Sequence, residues 1–395
     1  MVGNKGNYVF QSDFAETNVV SPDIEISVVT TLKDFKDFFR VSSIVYQDDD
    51  YWVAPFWVEF KIFFRRNNPF WTHGECKLFI AKKNNKIVGR IAAIIDYKFC
   101  ETIGRKIGYF GFFECIEDYQ CAEALFKSAQ NWLGLKQMTV MRGPINGRVD
   151  IGCGFLHTGF ESRQSFFYSY SPPYYLSFAE QFNMKKSRDQ LLYYIDLTKP
   201  LPKVLQEKAQ KSIASGVKIS KFNRLRTRKK LKWWIDLFLE TFAEHWGYVP
   251  LSPDEVRTRF GLKQLRWFVD TPLFLIAEYN GSPVAFIWSM PDYNQIFQKM
   301  KGRLGPYQIL QFLLLKRRIN VGVMPLIGVK KKFRSQNIGS YLNYLTLVEM
   351  KKRGYIGAEV VWIDKGNDIA NTTIAKTGAK LYKKSRVFDK PIHTT

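Results

Sequence analysis

A basic segment followed by small residues, from Val329 to Leu342, is the part of the chain most suited to chemistry (VKKKFRSQNIGSYL). The pattern predicts a buried strand, a short turn and then a helix. The start of a helix offers unpaired N–H groups and the positive end of a dipole, so it binds pyrophosphate well. Asn337 can take the left-handed conformation that glycine often supplies. Together with Arg334 and Gly339, it predicts a binding turn for a polyanionic ligand.

The spacing Arg334-x-x-Asn337-x-Gly339 resembles the acyl-CoA signature of the GNAT (Gcn5-related N-acetyltransferase) superfamily, Arg/Gln-x-x-Gly-x-Gly/Ala. Asn337 departs from the usual glycine. The resemblance implies that the turn holds the cofactor phosphates and that the preceding strand polarises the thioester carbonyl and pairs with the pantetheine arm. The alternative is an ordinary strand–loop–helix with a solvated basic loop. The cofactor-binding residues implied here are Ile327, Gly328, Val329, Arg334, Gln336, Asn337, Ile338, Gly339 and Ser340.

The order of elements after this turn also resembles the C-terminal half of a GNAT domain. A strand over Glu359 to Ile363 precedes Asn367, a helix and a last strand. In the family, an asparagine at this helix start helps to hold pantetheine, which makes Asn367 a further cofactor-binding candidate. Many members place a proton-donating tyrosine seven residues later, where this chain has Ile374. Tyr382 or Tyr341 would have to substitute for it.

Composition is typical of a globular enzyme large enough for two domains: 395 residues, 46% of them hydrophobic and 16% aromatic. The five cysteines form no Cys-x-x-Cys pair and there are four histidines, so no metal site is predicted. Scattered cysteines favour free thiols in a reducing compartment. The first residues lack an apolar signal core, and the longest apolar stretches are too short to span a bilayer. We therefore expect a cytoplasmic protein.

The formal net charge of +23 indicates anionic partners. The positive charge recurs in separate clusters rather than in one tail. Such clusters are often solvated faces, and no zinc-finger, RRM or basic-zipper pattern is present. The sequence leaves non-specific contact with RNA or an anionic membrane surface open, and it argues against sequence-specific DNA binding.

The chain divides near Asp196 to Pro202, where two prolines stand in a polar segment. Helices alternate with strands in a similar order on both sides, which predicts mixed α/β (α+β) sheets. Together with the resemblance above, this order implies two tandem GNAT-like domains, 1–198 and 199–395. A final strand pair is expected between Phe166 and Leu197. The first domain has Glu117 and Asp118 where the second has its basic turn. It is therefore expected to be a degenerate copy that shapes the substrate cleft; the alternative is that it binds CoA by unrelated contacts.

Several further stretches resemble one bacterial and archaeal group of double-domain GNAT-like proteins of poorly defined function. They are Gly108 to Glu114, Arg142 to Asn146, Gly152 to Phe160, Ser171 to Tyr175, Trp246 to Leu251, Met290 to Asn294 and Gly302 to Leu304.

Three residues are candidates for proton transfer. Glu114 ends an apolar strand, where burial would raise its pKa; a capping or salt-bridging carboxylate is the alternative. Asp292 follows another apolar strand and either faces the cleft or makes an Asx-type turn. Tyr382 is a candidate acid in place of the missing tyrosine.

A second set of residues could contact the acceptor. Arg142 and Asn146 would form a carboxylate clamp or only a turn, and His245 would contact substrate or cap a helix. Tyr174 and Tyr175 follow two prolines and would line an apolar pocket or pack a loop. Asn294 accompanies Asp292.

These features predict an acyl-CoA-dependent N-acyltransferase, with N-acetyl transfer as the first expectation. Its donor would be acetyl-CoA or a longer acyl-CoA, and its acceptor a small-molecule amine, an amino acid or a lipid-related amine. No Cys–His or Ser–His pair is readable, so direct attack is expected rather than a covalent intermediate. Two alternatives stay open: a Fem-type transferase that takes an aminoacyl group from tRNA, and a non-catalytic protein that binds acyl-CoA or an anionic surface.

Overall fold

The computed structural model describes residues 7–10, 17–21, 23–222, 227–260 and 270–392. The strands are β1 Thr17–Ser21, β2 Ile24–Val28, β3 Gly74–Lys83, β4 Lys86–Asp96, β5 Ile107–Cys115, β6 Val140–Gly143, β7 Phe155–Thr158, β8 Lys185–Asp196, β9 Lys218–Lys221, β10 Phe274–Tyr279, β11 Ser282–Pro291, β12 Val321–Val329, β13 Gly357–Asp364 and β14 Lys380–Pro391. The α-helices are α1 Leu32–Val45, α2 Trp57–Phe63, α3 Tyr97–Ile103, α4 Tyr119–Leu135, α5 Tyr174–Gln181, α6 Lys203–Ala214, α7 Thr227–Phe242, α8 Pro253–Phe260, α9 Asn294–Met300, α10 Pro306–Leu315, α11 Ile338–Lys352 and α12 Asp368–Ala375.

The described strands form one mixed sheet in the order β1-β2-β3-β4-β5-β6-β14-β8-β13-β12-β11-β10-β9, with β7 paired to β14. This confirms the predicted mixed α/β class. Two predicted hairpins are also confirmed, because Asn84 and Asn85 turn β3 into β4 and Asn280 and Gly281 turn β10 into β11. All four residues have positive φ, which suits the twist of the flanking strands.

The two halves of the chain exchange their last strands. β8 lies in the first half of the sequence but pairs with β13, while β14 comes from the second half and pairs with β6. β8 and β14 also pair with each other at the centre of the sheet. The strand pair expected between Phe166 and Leu197 is therefore wrong, because both partners of β8 lie beyond residue 356. The segments 1–198 and 199–395 share one hydrogen-bonded sheet.

Each half of the sheet is covered on both faces. In the second half, Leu342 and Leu347 of α11 pack with Ile374 of α12 and Leu205 of α6 on one face. On the opposite face, α7 buries its Trp234 among aromatic side chains of β10 and β11. A sheet buried on both faces needs nearly continuous apolar strands, which β11 and β13 provide.

Candidate functional site

The parallel strands β12 and β13 separate partway along their length. Among the described residues their pairing runs from Val321 opposite Gly357 to Met324 opposite Val360 and then ends. β12 continues to Val329 along β11 and β13 continues to Asp364 along β8, so a wedge opens between them. The unpaired edge of β12 offers backbone N–H and C=O groups to an extended ligand. This edge contains the predicted residues Ile327, Gly328 and Val329.

The basic turn closes the wide end of this wedge. A 3₁₀ turn over Lys331–Gln336 leads to Asn337 at φ 58°, and α11 starts at Ile338. The predicted left-handed conformation of Asn337 is thus confirmed, and Lys208 donates a hydrogen bond to its Oδ1 at 3.2 Å. Among the described residues, the buried Oε1 of Gln336 has no hydrogen-bond partner. The turn has the form of a phosphate-binding helix start.

The first turn of α11 presents backbone rather than side chains to this space. The side chains of Ile338 and Ser340 are buried. A Cβ atom built on Gly339 would lie 3.6 Å from Val329 Cγ2 and 3.9 Å from Ile327 Cδ1, which is ordinary contact. Position 339 therefore has room for a small side chain, and a larger one would extend toward the open edge of β12.

Charged residues flank the wide end of the wedge, which we call its mouth. Glu244 pairs with Lys331 at 3.0 Å and with Arg334 at 3.8 Å, and on the β13 side Arg188 lies 3.6 Å from Asp364. Burial, and then the charge of Arg334, lower the pKa of His245, so its imidazole is neutral at neutral pH.

A cavity of about 570 Å³ adjoins this mouth. Its wall includes Arg142, Arg188, His245, Trp246 and Tyr248. The structure therefore brings together two predicted substrate residues, Arg142 and His245. The guanidinium of Arg142 is nevertheless engaged by Asp389, with Nε–Oδ1 at 2.7 Å and Nη2–Oδ2 at 2.8 Å.

Asn367 caps the start of a helix. The Asn367 Oδ1 accepts the Ala370 N–H at 3.1 Å, so this side chain fixes the start of α12.

Ile374, which stands where many family members have the proton-donating tyrosine, is 2% exposed and belongs to the core under the sheet. The ring of Tyr382 packs on Tyr194 in β8, with 5.5 Å between centroids. Tyr382 lies on β14, which β8 separates from β13, so the structure does not bring it to the wedge.

A buried cluster of charged side chains lies beside the point where the strands separate. Glu359 is in register with Val323, one residue before the last β12–β13 pair, and Val323 packs with aromatic side chains of the loop that follows β7, including Phe166 and Tyr168. Asp292, at the end of β11, accepts a hydrogen bond from Arg163 at 2.8 Å. Lys383 of β14 donates to the carbonyls of Ser162 and Arg163. Asp292 is 0%, Lys383 1% and Glu359 5% exposed.

Burial controls the protonation of this cluster. Desolvation raises the pKa of Glu359, and the negative charge of Asp292 raises it further. Desolvation likewise raises the pKa of Asp292 and lowers that of Lys383. The hydroxyl of Ser165 approaches the carboxylate of Glu359 and opposes this rise in its pKa. A carboxylate whose pKa is raised by burial has the properties of a general base.

Sequence reasoning missed Glu359 and Lys383. The sequence predicts Glu359 only as the first residue of a strand. A glutamate opening an otherwise apolar strand, followed by Val360, Val361, Trp362 and Ile363, was the available signal. Asp292 was predicted either to face the cleft or to make an Asx-type turn, and the structure shows the turn, with the side chain fully buried. It joins the buried cluster, and its Oδ1 also accepts the Asn294 N–H at 3.1 Å in an Asx-type turn. Asn294 itself donates to the Gln164 carbonyl.

The corresponding edge in the first half is filled by the chain itself. There β5 pairs in parallel with β6 only from Ile107 to Tyr109. Beyond this, the Phe112 N–H donates to Asn146 Oδ1 at 2.7 Å, and the Cys115 N–H donates to the Tyr175 hydroxyl at 2.8 Å. The Tyr174 hydroxyl donates to the Cys115 carbonyl at 2.9 Å. Three predicted substrate residues therefore satisfy the backbone of β5.

Glu114 belongs to the same first-half network. The Tyr175 hydroxyl donates to its Oε2 at 2.8 Å, and Arg90 lies 3.7 Å from its Oε1. Burial raises the pKa of Glu114, in the direction expected, while Arg90 and the tyrosine hydroxyls oppose the shift. The structure thus places Glu114 in the salt bridge that sequence analysis considered as an alternative, away from the β12–β13 wedge.

No model of a known protein family matches the chain. The chain is 28% identical over 386 residues to protein YghO of Escherichia coli (strain K12), which covers 95% of this chain and 97% of that protein. It is 26% identical over 387 residues to the bacterial ceramide synthase of Caulobacter vibrioides (strain NA1000 / CB15N), covering 96% and 100%.

Among solved structures, a tandem GNAT protein from the clavulanic acid biosynthesis pathway superposes with a TM-score of 0.55. The two are 10% identical, and the match covers 94% of this chain and all of that one. The predicted tandem GNAT-like fold is therefore confirmed.

Proposed function

We propose that this tandem GNAT fold carries out acyl transfer from an acyl-CoA to an amine. The observation that carries the proposal is the wedge between β12 and β13 with a helix start and a basic turn at its wide end. An extended pantetheine arm could hydrogen-bond along β12 while its pyrophosphate met the N–H groups of α11. The acyl-CoA would supply an activated thioester carbonyl.

The second half of the chain suits the donor better than the first. Lys330, Lys331 and Arg334 surround its turn, whereas Asp118 caps the corresponding helix in the first half. Among the described residues, Arg334 donates to the Val329 carbonyl at the end of β12, and no hydrogen bond from Asn or Tyr side chains like those of Asn146 and Tyr175 on β5 is found along the rest of this edge. We propose that the first half helps to shape the acceptor site, through the cavity beside Trp246 and the loop that bears Arg163.

Glu359 is the proposed general base. It lies beside the narrow end of the wedge, and its raised pKa favours accepting a proton from an attacking ammonium or amine near neutral pH. The amine nitrogen would bond to the acyl carbon as the carbon–sulfur bond breaks, and the thiolate would take up a proton. Asp292 and Lys383 would set the charge around Glu359 rather than react themselves.

A lipid-related amine is the acceptor class that we favour among those predicted. A relative that aligns with almost the whole chain is called a bacterial ceramide synthase, and a ceramide is the amide of a fatty acid and a long-chain amino alcohol. The face that holds Glu359 is rich in aromatic side chains, including Trp288 and Phe167, whose rings lie 6.1 Å apart. Such a surface suits an alkyl chain better than a polar amino acid. A cytoplasmic site would give access to acyl-CoA.

Two variants of Gly339 test the donor site. Gly339→Ala adds a methyl group for which there is space, while Gly339→Glu places a carboxylate against the phosphates. An acidic residue in the first turn of a helix favours the helix, so Gly339→Glu should fold. We expect calorimetric titration with palmitoyl-CoA to show binding to wild type and Gly339→Ala, and affinity reduced at least about 100-fold in Gly339→Glu. Equal affinity in all three proteins would refute the donor site.

The identity of the acceptor is tested by measuring the release of free CoA thiol. Wild-type protein is mixed with acetyl-CoA or palmitoyl-CoA and with sphinganine, spermidine or an amino acid. We expect the highest kcat/KM for palmitoyl-CoA with sphinganine. Turnover confined to acetyl-CoA and a small amine would reject the lipid acceptor while keeping acyl transfer. Tight CoA binding without turnover of any amine would favour a binding protein, and stimulation by aminoacyl-tRNA without CoA binding would favour the Fem-type alternative.

A further inference from the structure

Helix α10 shows its apolar side chains to solvent. Tyr307, Ile309, Leu310, Leu313 and Leu314 are each between 51% and 69% exposed. A helix on a soluble core normally turns its apolar face inward. No residue of α10 is fully buried, although its whole sequence is PYQILQFLLL. Leu304, just before the helix, is also 55% exposed.

The inward side of α10 is the more polar one. Phe312 and Leu315 attach the helix to a small cluster made by Ile296, Met300 and Ile319. Gln308 and Gln311 lie on this same side by helical spacing and are less exposed than their apolar neighbours. The less apolar face of α10 therefore packs against the protein, and five large apolar side chains point to solvent. Exposed apolar patches of this kind mark interaction sites.

Positive charge surrounds this apolar face. Lys299, Lys301 and Arg303 precede α10, and Lys316, Arg317 and Arg318 follow it, all exposed. The sequence from Gln295 to Asn320 contains no acidic residue. An apolar face edged by lysine and arginine matches the boundary of an anionic bilayer, where apolar groups enter the acyl region and cations meet the headgroups.

We propose that α10 and its six flanking cations, together called the α10 patch, dock the protein on an anionic lipid surface. The charge pattern favours this partner over a second copy of the chain, because two such patches would repel each other. The attachment is peripheral: among the described residues, no helix has both the length and the apolar character needed to cross a bilayer. The proposal stands independently of acyl transfer, although in the sequence the α10 patch begins at Lys299, in the last turn of the helix that starts just after Asp292.

Vesicle sedimentation tests the α10 patch with the full chain. Binding to two kinds of large unilamellar vesicle is compared. One kind is pure phosphatidylcholine, and the other contains about 30% phosphatidylglycerol, which gives it a negative surface charge like that of a cytoplasmic leaflet. We expect binding to the anionic vesicles that falls at least about 10-fold in Leu310→Gln/Leu313→Gln/Leu314→Gln, since glutamine keeps helix propensity but not the apolar face. Lys316→Gln/Arg317→Gln/Arg318→Gln should also bind about 10-fold more weakly and depend less on salt.

Leu135→Gln provides the matched control, because Leu135 is 84% exposed on α4 and far from α10 in the sequence. It should bind vesicles as wild type does. Circular dichroism melts confirm that each variant is folded. Anionic-vesicle binding that survives the triple leucine variant would overturn the proposal. So would a dimer in sedimentation velocity that the same variant converts to monomer, because the patch would then join two copies of the chain.

Discussion

Arg163 and Asp292 form a hydrogen-bonded ion pair at 2.8 Å although 129 residues separate them in the chain. Arg163 lies in the loop that follows β7, and Asp292 follows β11, so the pair joins the two halves over the buried face of the sheet. Asp292 is 0% exposed. A charge buried this deeply is stable only with a partner, and Arg163 supplies it.

Replacing Lys383 by methionine should destabilise the fold. Lys383 is 1% exposed, and its ammonium donates to two carbonyls of the same loop. Methionine fills similar volume but leaves those carbonyls unpaired and removes a cation near Glu359 and Asp292. We expect a loss of about 3 kcal/mol in the free energy of unfolding, measured by urea denaturation. Lys384→Met, one residue along β14 and less buried, should change it by less than about 0.5 kcal/mol.

The triad of His73, Asp96 and Glu255 should make stability depend on pH. His73 Nδ1 lies 2.9 Å from Asp96 and its Nε2 lies 3.3 Å from Glu255. Hydrogen bonds to Asp96 and Glu255 raise the pKa of His73 from 6.5 to about 9. Because the folded pKa lies above the unfolded one, this stabilisation is complete below pH 6.5 and disappears as the pH rises through 9.

We expect the free energy of unfolding of wild type to fall by about 2 kcal/mol over that interval, and His73→Gln to remove this fall. His157→Gln is the control, because burial lowers the pKa of His157 and its effect has the opposite sign. An unchanged slope in His73→Gln would contradict the assignment. At the acid end, the lowered pKa of Glu255, about 2, implies a loss of stability as the pH falls below 4.5.

Local features of the fold could be predicted from the sequence because their causes are local. Asn280-Gly281 determines a hairpin, and Asn337 with the basic residues before it determines the turn at α11. The exchange of β8 and β14 could not be predicted, since both strands mix charged and apolar residues and neither sequence indicates which distant strand it pairs with. The same exchange brings Lys383 to Glu359, so the buried cluster depends on contacts that no spacing in the sequence encodes.

A variant of Asn146 can distinguish a structural role of this residue from a role in binding substrate. Its Oδ1 accepts the Phe112 N–H at 2.7 Å, which fills the edge of β5. Asn146→Ala should lower the free energy of unfolding by about 1 kcal/mol, because the partly buried N–H of Phe112 loses its acceptor. The KM values for donor and acceptor should stay within about twofold of wild type at temperatures where the variant is folded. A large rise in the acceptor KM with unchanged stability would instead return Asn146 to the substrate site.

The pH dependence of turnover tests Glu359 directly. A general base must be deprotonated, so the raised pKa of Glu359 should move the acidic limb of kcat/KM above the usual glutamate range. Glu359→Gln should lower kcat by about 10²- to 10³-fold, remove this limb and leave acyl-CoA affinity unchanged. Glu349→Gln, at an exposed i,i+4 pair with Arg353 on α11, should preserve both rate and profile. If Glu359→Gln kept the limb, the titrating base would have to be another group. Asp292, whose pKa is raised by the same burial, would then be the next residue to replace.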